Sequence, residues 1–541
     1  MKDLIKSVTK QEWKFWVKVV IAVLILTSLS RIFLVIWTPE GFIPRGNIIY
    51  SFTDRQVYLS YIEQAREGKF LFEDLYTAKA ESSPMFNIFW LSLGLFARLT
   101  NLSGNAVIEF FRILLAPLLL FSLYLLFTYL IKDIFQRKLA FLIASLGGGM
   151  GFILMPIIYL VAALFSLMEK IRILPIDIDN CEAFIFNTIY YSPHFIFSTF
   201  LFVSIILLTL LAIEKNKLTY SLPVGIMSAV LLNFHPFTFF ILFFIFFAYF
   251  ISALIQEKKT GFFIFKYFLL VGIIALPSAL YHLSMFNSPW WQNQTWNSTT
   301  ITPFWLSILA GYGVLVFFSI HSLRLSYKKK MEIKNEKFLL CWLVGGAVLI
   351  FLPVSVQGRF LEGYQIALII LSSYSLAKFL ERRKDLIKDK VFGAILFIVF
   401  FCLSIFFVMF LDMKNIYRQG NIVYIRKETA ITLKELKNIV GADEVILADI
   451  YNANMIPGFA TRRVFAGHGV ETIDYERKYD TLVEYMTNSN GDARREILKQ
   501  NGISYVLYDG QWKDEWKWDL EKDKNLEKIY EKGSYKFYKV L

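Results

Sequence analysis

The chain has 541 residues, of which 56% are hydrophobic and 17% aromatic, and a formal net charge of +13. That apolar share excludes a soluble globular domain and points to several membrane-embedded segments. The basic residues stand in short clusters between apolar runs, so the charge fits orientation in a bilayer and excludes a nucleic-acid-binding surface.

At the start of the chain Lys2, Lys6, Lys10, Lys14 and Lys18 precede an apolar run ending near Trp37. No small-residue cleavage site follows it, so the pattern predicts a retained signal anchor. Further apolar runs predict about eleven spans in all, at roughly 17–37, 107–131, 138–163, 189–213, 218–234, 236–256, 262–284, 303–323, 338–353, 359–380 and 391–411. The links bearing Lys132/Arg137/Lys138, Lys215/Lys217, Lys258/Lys259/Lys266, Arg324 to Lys337, and Arg382 to Lys390 are the basic ones. By the positive-inside rule they face the cytoplasm of a plasma (inner) membrane, which puts the N-terminus inside and the C-terminus outside. The segment Pro84 to Leu99 is apolar but short, and is read as a re-entrant or surface-lying helix. As an ordinary short span it would invert every later loop.

The expected organisation is a mainly α, polytopic helical bundle over residues 1–412, with a first outer loop at 38–106, and a small extracytoplasmic α/β domain over 413–541. In that tail Glu444 to Ile450 and Ile503 to Asp509 predict strands, while Thr429 to Val440 and Asp492 to Asn501 predict helices. Leu526 to Tyr530 and Tyr535 to Val540 are placed to close a sheet. Three cysteines, two of them (Cys341 and Cys402) inside apolar runs, provide no intramolecular disulfide framework.

The first outer loop carries FTDRQVYLSYIEQAREGKFLFEDLYTAKAESSPMFNIFW, Phe52 to Trp90. Val57, Tyr58, Tyr61, Ile62 and Ala65 recur with helical spacing and predict a helix lying on the membrane surface, with Asp54 at its N-terminus. An Asp there serves equally as an N-cap, accepting backbone N–H bonds. Elsewhere on the predicted outer side stand His194 (YYSPHFIF), His235 (NFHPF), and Arg359 with Glu362 and Tyr364 (QGRFLEGYQ). Ionisable groups near membrane depth are functional candidates by default. Each of these histidines also suits a helix end satisfied by backbone, and Arg359 a snorkelling anchor. Trp290, Trp291 and Trp296 can stack on a sugar ring or form an interfacial belt. Glu109 and Arg112, three apart, can simply pair. In the tail, Asp449, Asn452, Asn454, Arg462, Arg463 and His468 cluster after a strand end, a common binding position in α/β folds. The sequons Asn101-Leu102-Ser103 and Asn297-Ser298-Thr299 carry little weight. No Walker loop, dinucleotide fingerprint, HExxH or paired CxxC occurs in the sequence, so a nucleotide-sugar donor and a structural zinc lack support.

The order of a first span, an outer loop with an early Asp, the VYLSYIEQAREGKFLF helix, a Pro-bearing apolar segment and an Arg-containing span (Arg112) resembles the GT-C superfamily of polyprenyl-phosphate-sugar-dependent glycosyltransferases. The likeness is nearest to the protein O-mannosyltransferase and aminoarabinose-transferase-like branch and covers roughly residues 15 to 410. It implies a GT-C fold, a polyprenyl-phosphate-linked sugar as donor and Asp54 as catalytic base in an inverting transfer. Two departures stand out: Arg55 follows the Asp where relatives carry a second acid, and Glu81-Ser82-Ser83-Pro84 replaces a basic residue before a Pro-Pro pair. The donor phosphate then needs another cation, for which Arg359, His194, His235 and Arg112 are the candidates. Glu81, Glu362, Tyr364 and Trp291 are candidates for the sugar or for an acceptor, whether glycan, lipid or protein. Asp54 with Glu81 can hold a divalent metal, though no cofactor is required by the sequence. The alternative function is a polytopic transporter or lipid flippase of the cell envelope, and a third is a non-catalytic assembly protein. Transporters place ionisable groups at the bilayer midplane, whereas here they gather at the outer ends of apolar spans.

Overall fold

The computed structural model describes residues 1–46, 52–78, 81, 83–164, 173–297, 304–330, 332–354, 356–382, 390–418 and 423–541. Among the described residues seven helices are long and apolar enough to cross a membrane: Lys10–Ile36, Gly104–Leu130, Pro193–Lys215, Pro236–Gln256, Lys258–Met285, Trp305–Tyr327 and Gln357–Arg382. Two bent pairs, Ile134–Leu146 with Gly151–Leu164 and Val391–Phe401 with Leu403–Tyr417, turn by 59° and 42° and bring the number to nine if each is one span. The chain is an integral membrane protein. The predicted segments at 218–234 and 338–353 are helical as well, over Ser221–Phe234 and Glu336–Ile350. At about 1.5 Å per residue both fall short of a hydrocarbon core of about 30 Å. The segment at 84–99 forms the helix Ile88–Thr100, whose first turn is capped by Asn87 accepting from the amides of Phe89 and Trp90. The basic link from 383 to 389 and residues 298 and 299 of the second sequon lie outside the described residues.

By its internal contacts the chain divides into two compact units. The first comprises Met1–Ile32, Ile108–His282 and Thr300–Met413. Its centre is the helix Tyr364–Arg382, where Ser319 and Ser322 on Trp305–Tyr327 donate to the carbonyls of Leu368 and Leu371. Small hydroxyl side chains let these two helices approach closely. Near the N-terminus the buried Glu12 accepts from Arg137 at 2.6 Å and from Tyr124 at 2.9 Å.

The second unit comprises Phe33–Val107, Leu283–Thr299 and Lys414–Leu541. Strand β1 (Phe42–Pro44) pairs antiparallel with β2 (Tyr424–Arg426). A five-stranded sheet follows, in the order β4-β3-β5-β7-β6, from β3 (Val445–Leu447), β4 (Arg463–Val464), β5 (Ile503–Asp509), β6 (Leu526–Lys532) and β7 (Tyr535–Val540). β3 lies parallel to both β4 and β5, while β7 joins antiparallel to β5 and β6. The tail is therefore the expected α/β arrangement. Strand β3 is shorter than the sequence pattern because Asp449 caps a helix, Ile450–Ala460, by accepting from the amide of Asn452.

The helix predicted over the first loop forms as Phe52–Arg66. Its apolar face does not lie on a membrane surface, however. Val57, Tyr61, Ile62 and Ala65 are buried, and Tyr58 stacks on Trp90 with ring centroids 4.5 Å apart. The partners are Ile88–Thr100 and Ile450–Ala460, and two glycines permit the approach. A Cβ on Gly94 would lie 2.3 Å from that of Ala65, and one on Gly458 would lie 3.1 Å from the Gln56 carbonyl. The heptad-like stripe that suggested an interfacial helix is thus the seam of a protein core.

Candidate functional site

Two groups of polar side chains, one in each unit, contain most of the candidates. In the first unit, proline sets both histidines. Pro193 and Pro236 each open a helix, where a fixed φ and a missing N–H cost nothing. His194 consequently sits in a first helical turn and His235 at the residue preceding its helix. Their rings lie 6.2 Å apart, and both are buried. Ser192 Oγ contacts His194 Nδ1 at 2.9 Å.

Glu362 is the hub of this group. Its Oε1 accepts from Ser198 at 2.6 Å and from Thr199 at 2.9 Å, and its Oε2 accepts from the Thr238 hydroxyl. Thr238 spends its single proton on Glu362, so the 2.6 Å contact between Thr238 Oγ1 and His235 Nδ1 has the imidazole as donor. His235 Nε2 then presents a bare lone pair, buried and without a hydrogen-bond partner. It faces Glu182 Oε1 at 3.9 Å. Two acceptors facing each other across that gap suit a shared cation. Glu182, His235 and Glu362 each offer a ligand atom, all within 4.8 Å of one another. Arg359 reaches Glu182 at 3.4 Å and lies over the Phe237 ring at 5.1 Å. Imidazole with two carboxylates is a donor set for zinc or a similar divalent ion. The residues present therefore fit a metal, in a different place from the expected Asp54 and Glu81.

Arg112 is held elsewhere in the first unit. Its Nε meets Glu109 at 2.7 Å, as the three-residue spacing predicted, and its terminal nitrogens donate to Thr27 and Ser28. Tyr364 packs its ring 5.7 Å from that of Tyr312 and against Gly346.

The second unit holds Asp54. It lies inside the first turn of Phe52–Arg66 rather than at a cap, near the positive end of the helix dipole. Its Oδ1 is 3.1 Å from His468 Nε2, and its side chain is 44% exposed. Glu81 lies with Lys478, whose Nζ is 2.5 Å away, and with the Thr77 hydroxyl. Burial opposes ionisation of Glu81, but the Lys478 and Thr77 bonds outweigh it and hold the carboxyl below the usual carboxylate range. Glu81 is therefore already neutralised by an ammonium. Trp290 donates to Glu471 at 3.0 Å, and Trp291 has its ring 6.4 Å from that of Trp290. The Trp296 side chain lies outside the described residues.

The tail cluster splits as well. Arg463, fully buried, binds Glu73 and the carbonyls of Asp74 and Thr77. Arg462 caps carbonyls of Lys437 and Val440, and Asn454 accepts from Arg45. Asn452 Nδ2 donates to Asp449 at 2.8 Å and to Asp509 at 3.2 Å, joining the ends of β3 and β5. Burial pushes the Asp449 carboxyl up to about 6, with Asp509 adding to the shift and Asn452 opposing it. The folded state then holds a proton that the unfolded chain, with an Asp near 3.9, has released. Stability from this group is present below about pH 4 and is lost as pH rises through about 6, by up to about 3 kcal/mol. Asp449→Asn is expected to remove that slope when tail melting is followed by tryptophan fluorescence across about pH 4 to 7. An unchanged slope would leave Asp449 out of the effect.

Comparison with protein families finds no matching model, and no curated protein matches the chain. Solved structures do. The oligosaccharyltransferase AglB of Archaeoglobus fulgidus, in complex with an inhibitory peptide and a dolichol-phosphate, aligns with a TM-score of 0.53 at 14% identity over 93% of this chain and 70% of its own. The same enzyme in complex with Zn and sulfate gives 0.52 at 13%, over 90% and 68%. ArnT of Cupriavidus metallidurans, bound to undecaprenyl phosphate, gives 0.51 at 8%, over 95% and 97%. The chain shares the fold of AglB and ArnT. At these identities the likeness concerns the fold.

Proposed function

We propose that the protein is a membrane glycosyltransferase that moves a sugar from a polyprenyl-phosphate donor to an acceptor, with Asp54 as general base. One observation carries the reading: the candidate base from the first loop is a half-exposed carboxylate inside a helix N-terminus, held by a histidine, in a chain with a GT-C fold. The lipid phosphates bound by AglB and ArnT support a donor of the same chemistry.

In the reaction, Asp54 takes the proton of an acceptor hydroxyl or amine as that atom attacks the anomeric carbon. The bond to the lipid phosphate breaks, the phosphate leaves as an anion, and a single displacement inverts the carbon. Arg359 is the candidate contact for a lipid phosphate, because its planar fork can meet two oxygens at once. Transfer takes place on the extracytoplasmic side of the plasma membrane, with the N-terminus in the cytoplasm, as the basic links indicate.

Glu182, His235 and Glu362 would hold a divalent cation, which when bound supplies positive charge beside Arg359. Purified protein is expected to carry zinc or another divalent metal by elemental analysis, and the double variant Glu182→Gln, His235→Ala to lose it. Equal metal content in both proteins would rule out this site.

The test that separates transfer from transport uses proteoliposomes loaded with a fluorescent polyprenyl-phosphate sugar and acceptor. Transfer yields free polyprenyl phosphate and a new glycoside. Movement of the intact donor between leaflets with no new glycoside would support the flippase reading instead.

A further inference from the structure

The histidine that meets Asp54 comes from the far end of the sequence, 414 positions away. Its imidazole is fixed on every side. The backbone amides of Val470 and Glu471 donate to Nδ1 at 3.2 and 3.1 Å. With Nδ1 accepting twice, the ring proton resides on Nε2, which therefore donates to Asp54 Oδ1. The ring lies 5.7 Å from that of Tyr76. The loop that carries it is closed by Thr472, whose Oγ1 accepts from the amides of Gly467 and His468 at 3.1 and 3.2 Å. Gly467 is required there, since a Cβ would meet the Ala453 backbone at 2.8 Å. From outside, Trp290 holds Glu471, and Asn293 Nδ2 donates to the Val470 carbonyl at 2.6 Å.

An imidazole 4% exposed thus meets a carboxylate that is 44% exposed. A histidine acting as a base would need Nε2 free, whereas here Nε2 donates. We propose that His468 is a positioning residue: it donates through Nε2 to Oδ1 of Asp54, fixes the carboxylate rotamer and leaves the other oxygen to receive the acceptor's proton. The role of the tail in catalysis is then to brace the base. Its loop 467–472, clamped by Trp290 and Asn293, is the device that does so. A fixed carboxylate loses less freedom on reaching the transition state than a mobile one, so the contribution falls on kcat.

This inference rests on Asp54 being the base, and the experiment separates the two. Initial rates of transfer from a polyprenyl-phosphate sugar are measured for wild type, Asp54→Asn, His468→Leu and His468→Gln. His468→Leu, which removes the donor, is expected to lower kcat by about 10- to 100-fold with KM within about twofold. His468→Gln, whose amide N–H reaches a similar position, is expected to recover kcat to within about fivefold of wild type. Should His468→Leu not fold, Thr472→Val loosens the same loop and is expected to lower kcat by a smaller factor, again without raising KM. If the Leu and Gln variants lose kcat equally, or if only KM changes, His468 is not positioning Asp54. Wild-type rates in His468→Leu beside an inactive Asp54→Asn would overturn this inference alone. An active Asp54→Asn would remove the base and its positioning residue together.

Discussion

Asp54→Asn is expected to lower kcat for sugar transfer by about 1000-fold or more, the range over which a positioned general base contributes. The substitution is isosteric. Asn keeps an oxygen to accept from His468 Nε2, so the helix Phe52–Arg66 and the loop 467–472 retain their contact. The expected change in melting temperature is therefore small, and KM for the donor stays near the wild-type value because Asn removes basicity rather than shape. Asp54→Glu, with a longer stem, is expected to recover part of the rate. A larger loss in the Asn than in the Glu variant, with an unchanged fold, would fit the base; a fully active Asn variant would not.

The second large effect is on stability. Arg463→Met is expected to destabilise the second unit by about 1–3 kcal/mol, the usual cost of leaving buried polar groups without their partner. Arg463 has no exposed side-chain surface, pairs with Glu73, and donates to the carbonyls of Asp74 at 2.8 Å and Thr77 at 3.3 Å. Its loss leaves two carbonyls of the first loop without their guanidinium, while Glu73 keeps Lys69, whose Nζ lies 3.1 Å away. Adding Glu73→Gln to Arg463→Met is expected to change stability by less than about 1 kcal/mol further, because Lys69 and solvent already compensate that part-exposed carboxylate. The measurement is denaturation in detergent of the two variants beside wild type. A change below about 1 kcal/mol in Arg463→Met would mean that the pair is dispensable.

These two residues also show what a linear reading of the chain can and cannot reach. Apolar run length identified the membrane helices, since spanning a fixed thickness is a constraint on composition that each segment satisfies alone. Strands β5 to β7 were legible for a similar reason: alternating β-branched and aromatic residues record their own burial. His194, His235, Arg359 and Glu362 were identified singly as ionisable groups at the ends of apolar runs. Their assembly was not, because Glu182 joins them from a loop whose only signal is a carboxylate among apolar neighbours (DNCEAFIF). Glu109 and Arg112 pair as their spacing said.

Long-range polar partners left no such trace. Glu81 meets Lys478 and Asp54 meets His468 across some four hundred residues, and neither partner has a local pattern that names the other. The stripe Val57, Tyr58, Tyr61, Ile62, Ala65 gave the correct helix and the wrong neighbour. Periodicity records that a face is covered, and Gly94 and Gly458, which decide what covers it, lie in other elements.

The proposed reaction is transfer from a lipid-linked sugar that depends on Asp54. Purified protein incubated with a panel of polyprenyl-phosphate sugars, assayed for free polyprenyl phosphate, tests it most directly. Release is expected with at least one member of the panel in the presence of acceptor, and none with Asp54→Asn. Absence of release across the whole panel, or equal release by Asp54→Asn, would contradict it.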